Sequence, residues 1–175
     1  MSSEAEWWDV LDTKGRQTGD FFRRGATGWP TGRFHLIVAV CVQRRDGAVL
    51  LTQRSANKEE YPFGWEFPGG SALAGESSRE AASRELREET GLEVPPAALT
   101  PVGRFAEVSA LLDFYVAGKL SSPELTLQHS EVMAAEWVPP EEVIRRLRAG
   151  VMADPWVARL ESLWPATIVE CGQLR

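Results

Sequence analysis

Three glutamates within five residues, Glu85, Glu88 and Glu89, are the side chains of this sequence best suited to chemistry. On an α-helix, which turns by about 100° per residue, they lie on one face within about 100° of arc. Without a partner, the three carboxylates would repel one another. Converging oxygen ligands suit hard divalent cations such as Mg²⁺, which readily shares phosphate oxygens. Glutamate-rich helices are also common on solvated surfaces, so these residues alone leave both a metal site and a plain charged face open.

The neighbouring residues supply what a metal site needs. Arg84 adjoins the first glutamate and could hold its carboxylate by a charge-assisted hydrogen bond. The segment Pro68-Gly69-Gly70 could turn tightly and offer a bare carbonyl to the same cation. We expect Ala81 to lie on the carboxylate face and leave space there, with Ala82 and Leu86 toward the core.

The elements that must position these residues follow from apolar runs and turn residues. A capping box of Ser77 and Glu80 predicts the start of the glutamate-bearing helix, and Gly91 predicts its end. Two further helices are predicted over residues 141–148 and 156–163. Strands are predicted over residues 8–11, 20–23, 35–42, 48–53, 65–67, 102–107, 111–120 and 136–138. Strands with a few helices that do not strictly alternate with them indicate an α+β domain.

Composition and charge narrow the classes of function. The chain has 175 residues, which is enough for one compact domain. Its content of 43% hydrophobic and 25% charged residues argues against a largely disordered chain. A net charge of −6 disfavours nucleic-acid polymers and anionic membranes as partners. No run free of Asp, Glu, Lys and Arg exceeds ten residues, which is too short for a helix to span a bilayer.

The ends and the cysteines lead to expectations about organisation and location. The first residues lack a basic start followed by an apolar stretch, so no secretory signal is expected. Cys41 and Cys171 cannot form a disulfide framework and fit a reducing, cytoplasmic location. We expect residues 1–33 to form an arm or hairpin packed on one domain of residues 34–175. The tryptophan-rich arm could cover a partner in a homodimer or pack on its own core.

The stretch over residues 70–92 resembles the signature of the Nudix family. That signature reads Gly, five residues, Glu, seven residues, then Arg-Glu-apolar-any-Glu-Glu-any-Gly-apolar. Every fixed position is matched, by Gly70, Glu76, Arg84, Glu85, Leu86, Glu88, Glu89, Gly91 and Leu92. The segments WDVLDTKGRQTG, RFHLIVAVCV, DGAVLLTQRSANKEEYPFGWEF and LQHSEV further resemble the branch related to isopentenyl-diphosphate isomerase, which contains isomerases and hydrolases.

The resemblance implies a Nudix fold, an α/β/α sandwich around a mixed sheet, with the signature as loop–helix–loop. It implies hydrolysis of a small-molecule diphosphate, such as a nucleoside diphosphate derivative, with Mg²⁺ or Mn²⁺. The catalytic residues would include Arg84, which would orient Glu85, while Glu76 would brace the loop. The metal ligands implied are Gly69, through its carbonyl, and Glu85, Glu88 and Glu89.

The general base is left open by the resemblance. Glu85 and Glu88 are candidates on the helix. Glu131, in the segment LQHSEV, is a candidate for the base or for a further metal ligand. Glu107 is another candidate, although an ordinary surface glutamate is the more frequent explanation of such a residue.

Substrate contacts are expected around the end of the strand over residues 48–53. Gln53, Arg54, Lys58 and Tyr61 lie near the expected cleft, and Arg54 or Lys58 could hold a terminal phosphate. Four aromatic side chains could stack on a base, although aromatic residues in strands more often belong to the core. These four are Trp65, Phe67, Phe105 and Phe114.

Two other functions compete with hydrolysis. An isomerase of this branch needs a cysteine–histidine pair near the strand before the signature, together with a histidine-rich metal site. The segment Glu66-Phe67-Pro68-Gly69-Gly70 contains neither residue type, and the chain has only His35 and His129, so hydrolysis is favoured. A module that binds a nucleotide without cleaving it is expected where the signature has decayed, and here no fixed position is replaced.

Overall fold

The computed structural model describes residues 5–120 and 124–173, with only the backbone described for Lys119 and Gln173. In this part of the chain the strands are β1 (Trp7–Leu11), β2 (Gln17–Arg23), β3 (His35–Arg44), β4 (Val49–Arg54), β5 (Trp65–Glu66), β6 (Gly69–Ser71), β7 (Thr100–Ala106), β8 (Ala110–Leu120) and β9 (Val132–Val138). The α-helices are α1 (Ser78–Thr90), α2 (Pro140–Arg148) and α3 (Trp156–Gln173). A short 3-10 turn, Pro96–Ala98, follows α1.

Strand β3 lies at the centre of a mixed sheet of seven strands. It pairs in parallel with β8 and antiparallel with β4 and β6. Strand β4 also pairs with β5 and β9, and β8 pairs with β7. Residues 38–42 of β3 are all buried, as expected for a strand whose two faces are both covered.

The helices cover opposite faces of the sheet, so two cores form. One core receives three fully buried side chains from α1: Ala81, Ala82 and Leu86. The other core receives side chains from α2 and α3, among them Val143, Trp156 and Leu160. The expected helix–sheet–helix layering and α+β class are confirmed. The expectation that Ala81 leaves space beside the carboxylates is wrong, because its methyl group is completely buried in the first core.

Strands β1 and β2 form the expected hairpin at the N-terminal end of the described chain. The hairpin joins the main body of the protein at Leu11, which exchanges backbone hydrogen bonds of 2.8 and 3.0 Å with Phe34. The Trp8 ring stacks on His35 with centroids 4.3 Å apart. The Asp9 carboxylate accepts a 2.8 Å hydrogen bond from the N–H of Gly75, so the hairpin also contacts the loop that leads into α1.

Two elements near the middle of the chain differ from the sequence prediction. The strand predicted over residues 65–67 ends at Glu66, and β6, over Gly69–Ser71, was not predicted. Between β5 and β6 the chain passes from the β4 side of the sheet to the β3 side. Pro68 lies at this crossing, outside both strands, so no strand hydrogen bond is lost because proline has no N–H. Strand β9 begins at Val132, earlier than residue 136, since it pairs with β4 along nearly its whole length.

Helix α3 is longer than predicted and continues through Pro165 to Gln173. Leu163, Thr167 and Cys171 are buried at a spacing of four residues, so packing extends the helix beyond the point where the sequence pattern weakens. Despite the 18 residues of α3, the described helices include none that is both long and apolar enough to cross a membrane.

Candidate active site

Local signals fix both ends of α1 as the sequence predicted. The Ser77 side chain accepts from the N–H of Glu80, and the Glu80 carboxylate accepts a 2.9 Å hydrogen bond from the N–H of Ser77. Gly91 adopts a left-handed conformation with φ of 75°, and its N–H bonds to the carbonyl of Arg87. The three glutamates of the signature therefore lie in the second half of a helix whose register is set at both ends.

Arg84 is the centre of a hydrogen-bonded group of carboxylates. Its Nε and Nη2 donate to both oxygens of Glu76 at 2.7 and 2.9 Å. Its Nη1 donates to Glu85 at 2.9 Å and to Glu88 at 3.0 Å. Burial alone would lower the pKa of Arg84, but the Glu76 and Glu85 carboxylates outweigh it and raise the pKa above its ordinary value. One guanidinium thus ties the loop before the helix to two of the expected ligands.

The loop before α1 is held by the same arginine. The Nη2 of Arg84 donates to the carbonyl of Ser71 at 3.0 Å. Glu76 also accepts a 2.8 Å hydrogen bond from the N–H of Leu73. Glu76 therefore links the loop backbone to Arg84, which is the arrangement needed to brace this loop.

Gly70 provides space for the Glu85 carboxylate. A Cβ atom at Gly70 would lie 2.6 Å from the carboxylate carbon of Glu85, closer than two carbon atoms can pack. Burial raises the pKa of Glu85, although the charge and hydrogen bond of Arg84 act in the opposite direction. The first glycine of the signature is thus explained by the close approach of a partly desolvated carboxylate to the backbone.

Glu89 is a buried carboxyl group with only 5% of its surface exposed. One of its oxygens accepts a 3.0 Å hydrogen bond from the N–H of Gly69. Burial raises the pKa of Glu89 well above its ordinary value, and the nearby Glu66 and Glu85 raise it further. Like charges brought together in a buried place require a proton or a cation to offset them.

Glu66 belongs to the same acidic group, and sequence reasoning did not single it out. Strand pairing places Thr52 opposite Glu66, and Glu66 forms a 2.9 Å ion pair with Arg54, which lies on the same face of β4 as Thr52. Burial raises the pKa of Glu66, while Arg54 opposes this. The register between β4 and β5 places Glu66 opposite Thr52, and Glu66 lies near enough to Glu89 to raise its pKa. The segment that contains Glu66 nevertheless carries part of the resemblance to the isomerase-related branch.

The loop before β9 brings Glu131 to the edge of this group. The N–H of Thr126 donates to the carbonyl of Thr90 at 2.8 Å, and the N–H of Gln128 donates to the carbonyl of Glu89 at 3.2 Å. These bonds attach the loop to the C-terminal end of α1. Glu131 is thereby held beside a helix that is distant from it in sequence.

Lys58 lies between Glu131 and the buried carboxylates. It forms an ion pair with Glu131. Burial and the nearby Arg54 lower the pKa of Lys58, whereas Glu89 and Glu66 act to raise it. Two cationic side chains, Arg54 and Lys58, therefore border the acidic group on the side of β4.

Other residues considered from the sequence lie elsewhere. Glu107 forms a 2.6 Å ion pair with Arg159 of α3. The Nδ1 of His35 donates a 3.0 Å hydrogen bond to the Ser109 carbonyl beneath the hairpin, and burial lowers the pKa of His35. Phe67 and Phe114 are 1% and 0% exposed, so their rings belong to the core.

The chemistry of the donor set fits a hard divalent cation. Glu85, Glu88, Glu89 and the Gly69 carbonyl would present oxygen only, which suits Mg²⁺ and Mn²⁺. Within residues 5–120 and 124–173, no three acidic, histidine or cysteine side chains are already close enough together to hold a metal ion. Glu85 and Glu88 are instead paired with Arg84, and Glu131 is paired with Lys58. The crowded, buried charge around Glu89 still favours a bound cation.

Comparisons with known proteins identify the family. The model of the NUDIX domain matches residues 33–160, and the chain belongs to the Nudix hydrolase family. An uncharacterised Nudix hydrolase of Listeria monocytogenes is 34% identical over 140 residues, which cover 79% of this chain and 82% of the relative. A CTP pyrophosphohydrolase of Escherichia coli is 36% identical over 113 residues, 62% of this chain and 78% of the relative.

A solved structure supports the Nudix fold. A Deinococcus radiodurans protein superposes with a TM-score of 0.76, at 22% identity, over 91% of this chain and 99% of that one. A Nudix hydrolase of M. smegmatis superposes with a TM-score of 0.62, at 21% identity, over 93% of this chain and 94% of that one, which confirms the fold that the sequence resemblance implied. The family's enzymes act on small-molecule diphosphates and generally use divalent cations.

An isopentenyl-diphosphate isomerase of Escherichia coli is also related, at 27% identity over 84% of this chain and 82% of the relative. The resemblance to this branch is therefore real but more distant. Cys41 and Cys171 are both buried in the core formed with α2 and α3, on the face of the sheet opposite α1. Neither thiol is available to the acidic group, which favours hydrolysis over isomerisation.

Proposed function

We propose that this chain is a pyrophosphohydrolase that uses Mg²⁺ or Mn²⁺ to cleave the diphosphate linkage of a nucleoside diphosphate derivative or a similar compound. The observation that carries the proposal is the joint hydrogen bonding of Glu85 and Glu88 by Arg84, next to the buried Glu89 and the backbone of Gly69. Burying several carboxylates together lowers the stability of the fold, and such groups are concentrated at functional sites.

The metal would be held by Glu85, Glu88, Glu89 and the carbonyl of Gly69, with Glu131 as a further ligand. A divalent cation at such a site supplies neutralisation of the diphosphate charge and acidification of a water molecule. The Glu88 side chain is 43% exposed, whereas that of Glu85 is 16% exposed. Glu88 can therefore exchange its bond to Arg84 for the cation with little rearrangement.

Arg84 has a positioning role in this proposal. It holds Glu85 and Glu88 while anchored to Glu76, so the two carboxylates keep their orientation when the substrate arrives. The general base is one of Glu85, Glu88 and Glu131. Glu88 is the helix candidate that water reaches most easily, because its side chain is the more exposed of the two.

Arg54 and Lys58 would hold the phosphate that lies farther from the metal. Both are partly desolvated cations at the border of the acidic group, each paired with one carboxylate. A planar guanidinium beside a compact ammonium provides two kinds of phosphate contact in one cleft. Their present partners, Glu66 and Glu131, keep both cations in place before the substrate binds.

The test is hydrolysis of a panel of diphosphate compounds with Mg²⁺ or Mn²⁺, with products identified by mass spectrometry. At least one nucleoside diphosphate derivative should be cleaved, and Glu85→Gln and Glu88→Gln should abolish the cleavage. Glu93→Gln is the matched control, because Glu93 is an exposed glutamate just after α1. Full activity in both active-site variants would disprove the assignment.

Two further parts of the proposal concern the whole protein. Both cysteines are free thiols, which is consistent with a reducing, cytoplasmic location. A homodimer through the tryptophan-rich hairpin stays a prediction, to be checked by the mass of the protein in solution. The division into an arm of residues 1–33 and a domain of residues 34–175 is likewise a proposal.

A further inference from the structure

The aromatic residues that the sequence suggested for base stacking are engaged elsewhere. Phe67 and Phe114 are buried, and Phe105 is partly buried against the same core. The Trp65 ring lies under the Arg146 guanidinium, 4.2 Å from its carbon. Two other aromatic side chains are exposed in the loop between β4 and β5: Tyr61 at 42% and Phe63 at 54%.

The backbone of this loop is strained at these two residues. Tyr61 and Phe63 have φ values of 50° and 66°, a left-handed conformation that bulky side chains rarely adopt. Tyr61 also precedes Pro62, and a residue before proline is normally extended. Glycine would accept both positions without steric cost. Large rings are thus retained where the fold alone would favour a smaller residue.

The surrounding structure imposes this conformation. The N–H of Phe63 donates to the carbonyl of Arg54 at 3.1 Å, and the N–H of Gly64 donates to the carbonyl of Tyr61 at 3.1 Å. The side chain of Gln53 donates to the carbonyl of Phe63 at 2.9 Å. Strain that is held in place by neighbouring hydrogen bonds is concentrated at functional sites.

The same loop is connected to the acidic group through Arg54. The Nε of Arg54 donates to the carbonyl of Glu60 at 3.0 Å, while its Nη1 pairs with Glu66 at 2.9 Å. Tyr61 directly follows Glu60. The Arg54 guanidinium therefore connects the backbone next to Tyr61 with Glu66 of the acidic group. Lys58, at the other side of the loop, pairs with Glu131.

We propose that Tyr61 and Phe63 form an aromatic surface that stacks on the flat ring of the substrate, while its diphosphate lies between Arg54, Lys58 and the acidic group. The substrate is then a nucleotide derivative rather than an alkyl diphosphate, and this inference rests on the proposed function. Every nucleobase has a π-face, so stacking selects nucleotides as a class without selecting one base.

The experiment compares two ligands that share one methylenediphosphonate unit. Binding of α,β-methylene-ADP and of methylenediphosphonate is measured by calorimetry with Mg²⁺, for the parent and for the double variant Tyr61→Gly, Phe63→Gly. The double variant should bind α,β-methylene-ADP at least about tenfold more weakly, because stacking on an aromatic side chain contributes about that factor or more. Its affinity for methylenediphosphonate should not change.

Thermal unfolding separates a binding role from a structural one. The double glycine variant should have an unchanged or higher Tm, because glycine relieves the left-handed strain. Tyr61→Phe should retain the affinity for α,β-methylene-ADP, since it keeps the ring. Phe21→Ala, which removes an exposed ring from the hairpin, should change neither ligand's affinity.

Three results obtained with the double variant would overturn the inference. These are an unchanged affinity of the double variant for α,β-methylene-ADP, an equal loss for both ligands, and a lower Tm that accompanies the loss. Failure of the proposed function can be distinguished from failure of this inference. In that case the parent would hydrolyse no diphosphate, but it would still bind α,β-methylene-ADP more tightly than the double variant does. Conversely, a parent that cleaves diphosphates but binds both ligands equally would retain the proposed function and refute the stacking surface.

Discussion

The face of the sheet covered by α1 and the face covered by α2 and α3 bury different kinds of side chain. Around α3, three rings meet edge to face: those of Phe67, Phe114 and Trp156, with centroids 5.1 to 5.6 Å apart. Around α1, the buried carboxyl group of Glu89 and the half-buried one of Glu66 lie beside the apolar side chains. The face covered by α2 and α3 is packed like an ordinary apolar core. The face covered by α1 contains buried carboxyl groups that lower the stability of the fold.

The two faces meet in one short segment, at the crossing from β5 to β6. Glu66 belongs to the acidic group, and the next residue, Phe67, is anchored in the aromatic core. Gly69, two residues further, donates to Glu89. The aromatic core therefore fixes the backbone that carries Glu66 and Gly69. Substitutions in the aromatic core should change mainly the stability, and substitutions in the acidic group should change mainly the activity.

Phe67→Ala should have the largest effect on stability. Removing a fully buried ring costs about 3–5 kcal/mol in the free energy of unfolding, because the cavity cannot close completely. Urea unfolding measures the loss, and Phe21→Ala, at an exposed ring, serves as the control. A cost below about 1 kcal/mol would contradict the division of the two faces, since the aromatic core would then not carry the fold.

Gly70→Ala should separate activity from stability on the α1 face. The new methyl group would collide with the Glu85 carboxylate and displace it, and a displacement of this kind lowers kcat by roughly 100-fold. Steady-state hydrolysis of the preferred diphosphate and the Tm are measured together. Gly172→Ala is the matched control, because a Cβ there meets nothing within 4 Å. Equal activity of the two variants would show that Glu85 is not held where catalysis needs it.

The pH dependence of stability should reveal the buried charge of Glu89. Burial and the nearby Glu66 and Glu85 raise the pKa of Glu89 on folding. Between its unfolded pKa of 4.5 and its higher folded pKa, the Glu89 carboxyl of the metal-free protein therefore binds more protons in the native state than in the unfolded chain. This contribution to stability is fully present below the unfolded pKa and is lost as the pH rises through the folded pKa, with a slope of about 1.4 kcal/mol per pH unit.

Urea unfolding in EDTA at a series of pH values tests this. The difference between the parent and Glu89→Gln should grow with pH in favour of the variant, whereas Glu93→Gln, at an exposed position, should follow the parent. If the free energy of unfolding of the parent and of Glu89→Gln changed with pH in the same way, the charge of Glu89 would not destabilise the fold. That result would contradict the proposed difference between the two faces of the sheet.

Ser77→Ala should have the smallest of these effects. It removes the side chain that accepts from the N–H of Glu80, so the free energy of unfolding should fall by about 1 kcal/mol. Hydrolysis should change little, because Arg84 fixes Glu85 and Glu88 independently of the cap. A fall in Tm of a few degrees with normal kcat is the expected result, and a large loss of kcat would show that the cap also sets the active-site register.

The sequence by itself determined what depends on neighbouring residues along the chain. The capping box at Ser77, the left-handed end at Gly91 and the spacing of Glu85, Glu88 and Glu89 all follow from local hydrogen bonds and helical periodicity. The Nudix signature occupies one continuous segment, residues 70–92, so the order of residues alone is enough to identify the family.

Only the tertiary structure decided which distant residues join this helix. Glu66 faces Thr52 and Arg54 because of the register between β4 and β5, and it lies near enough to Glu89 to raise its pKa. Glu131 lies beside α1 because its loop is attached to the end of that helix. The exposure of Tyr61 and the burial of Phe67 could not be distinguished by residue type, since both are aromatic residues of the segment between β4 and β6. Strand register and side-chain burial depend on pairing between remote segments, which local sequence patterns do not specify.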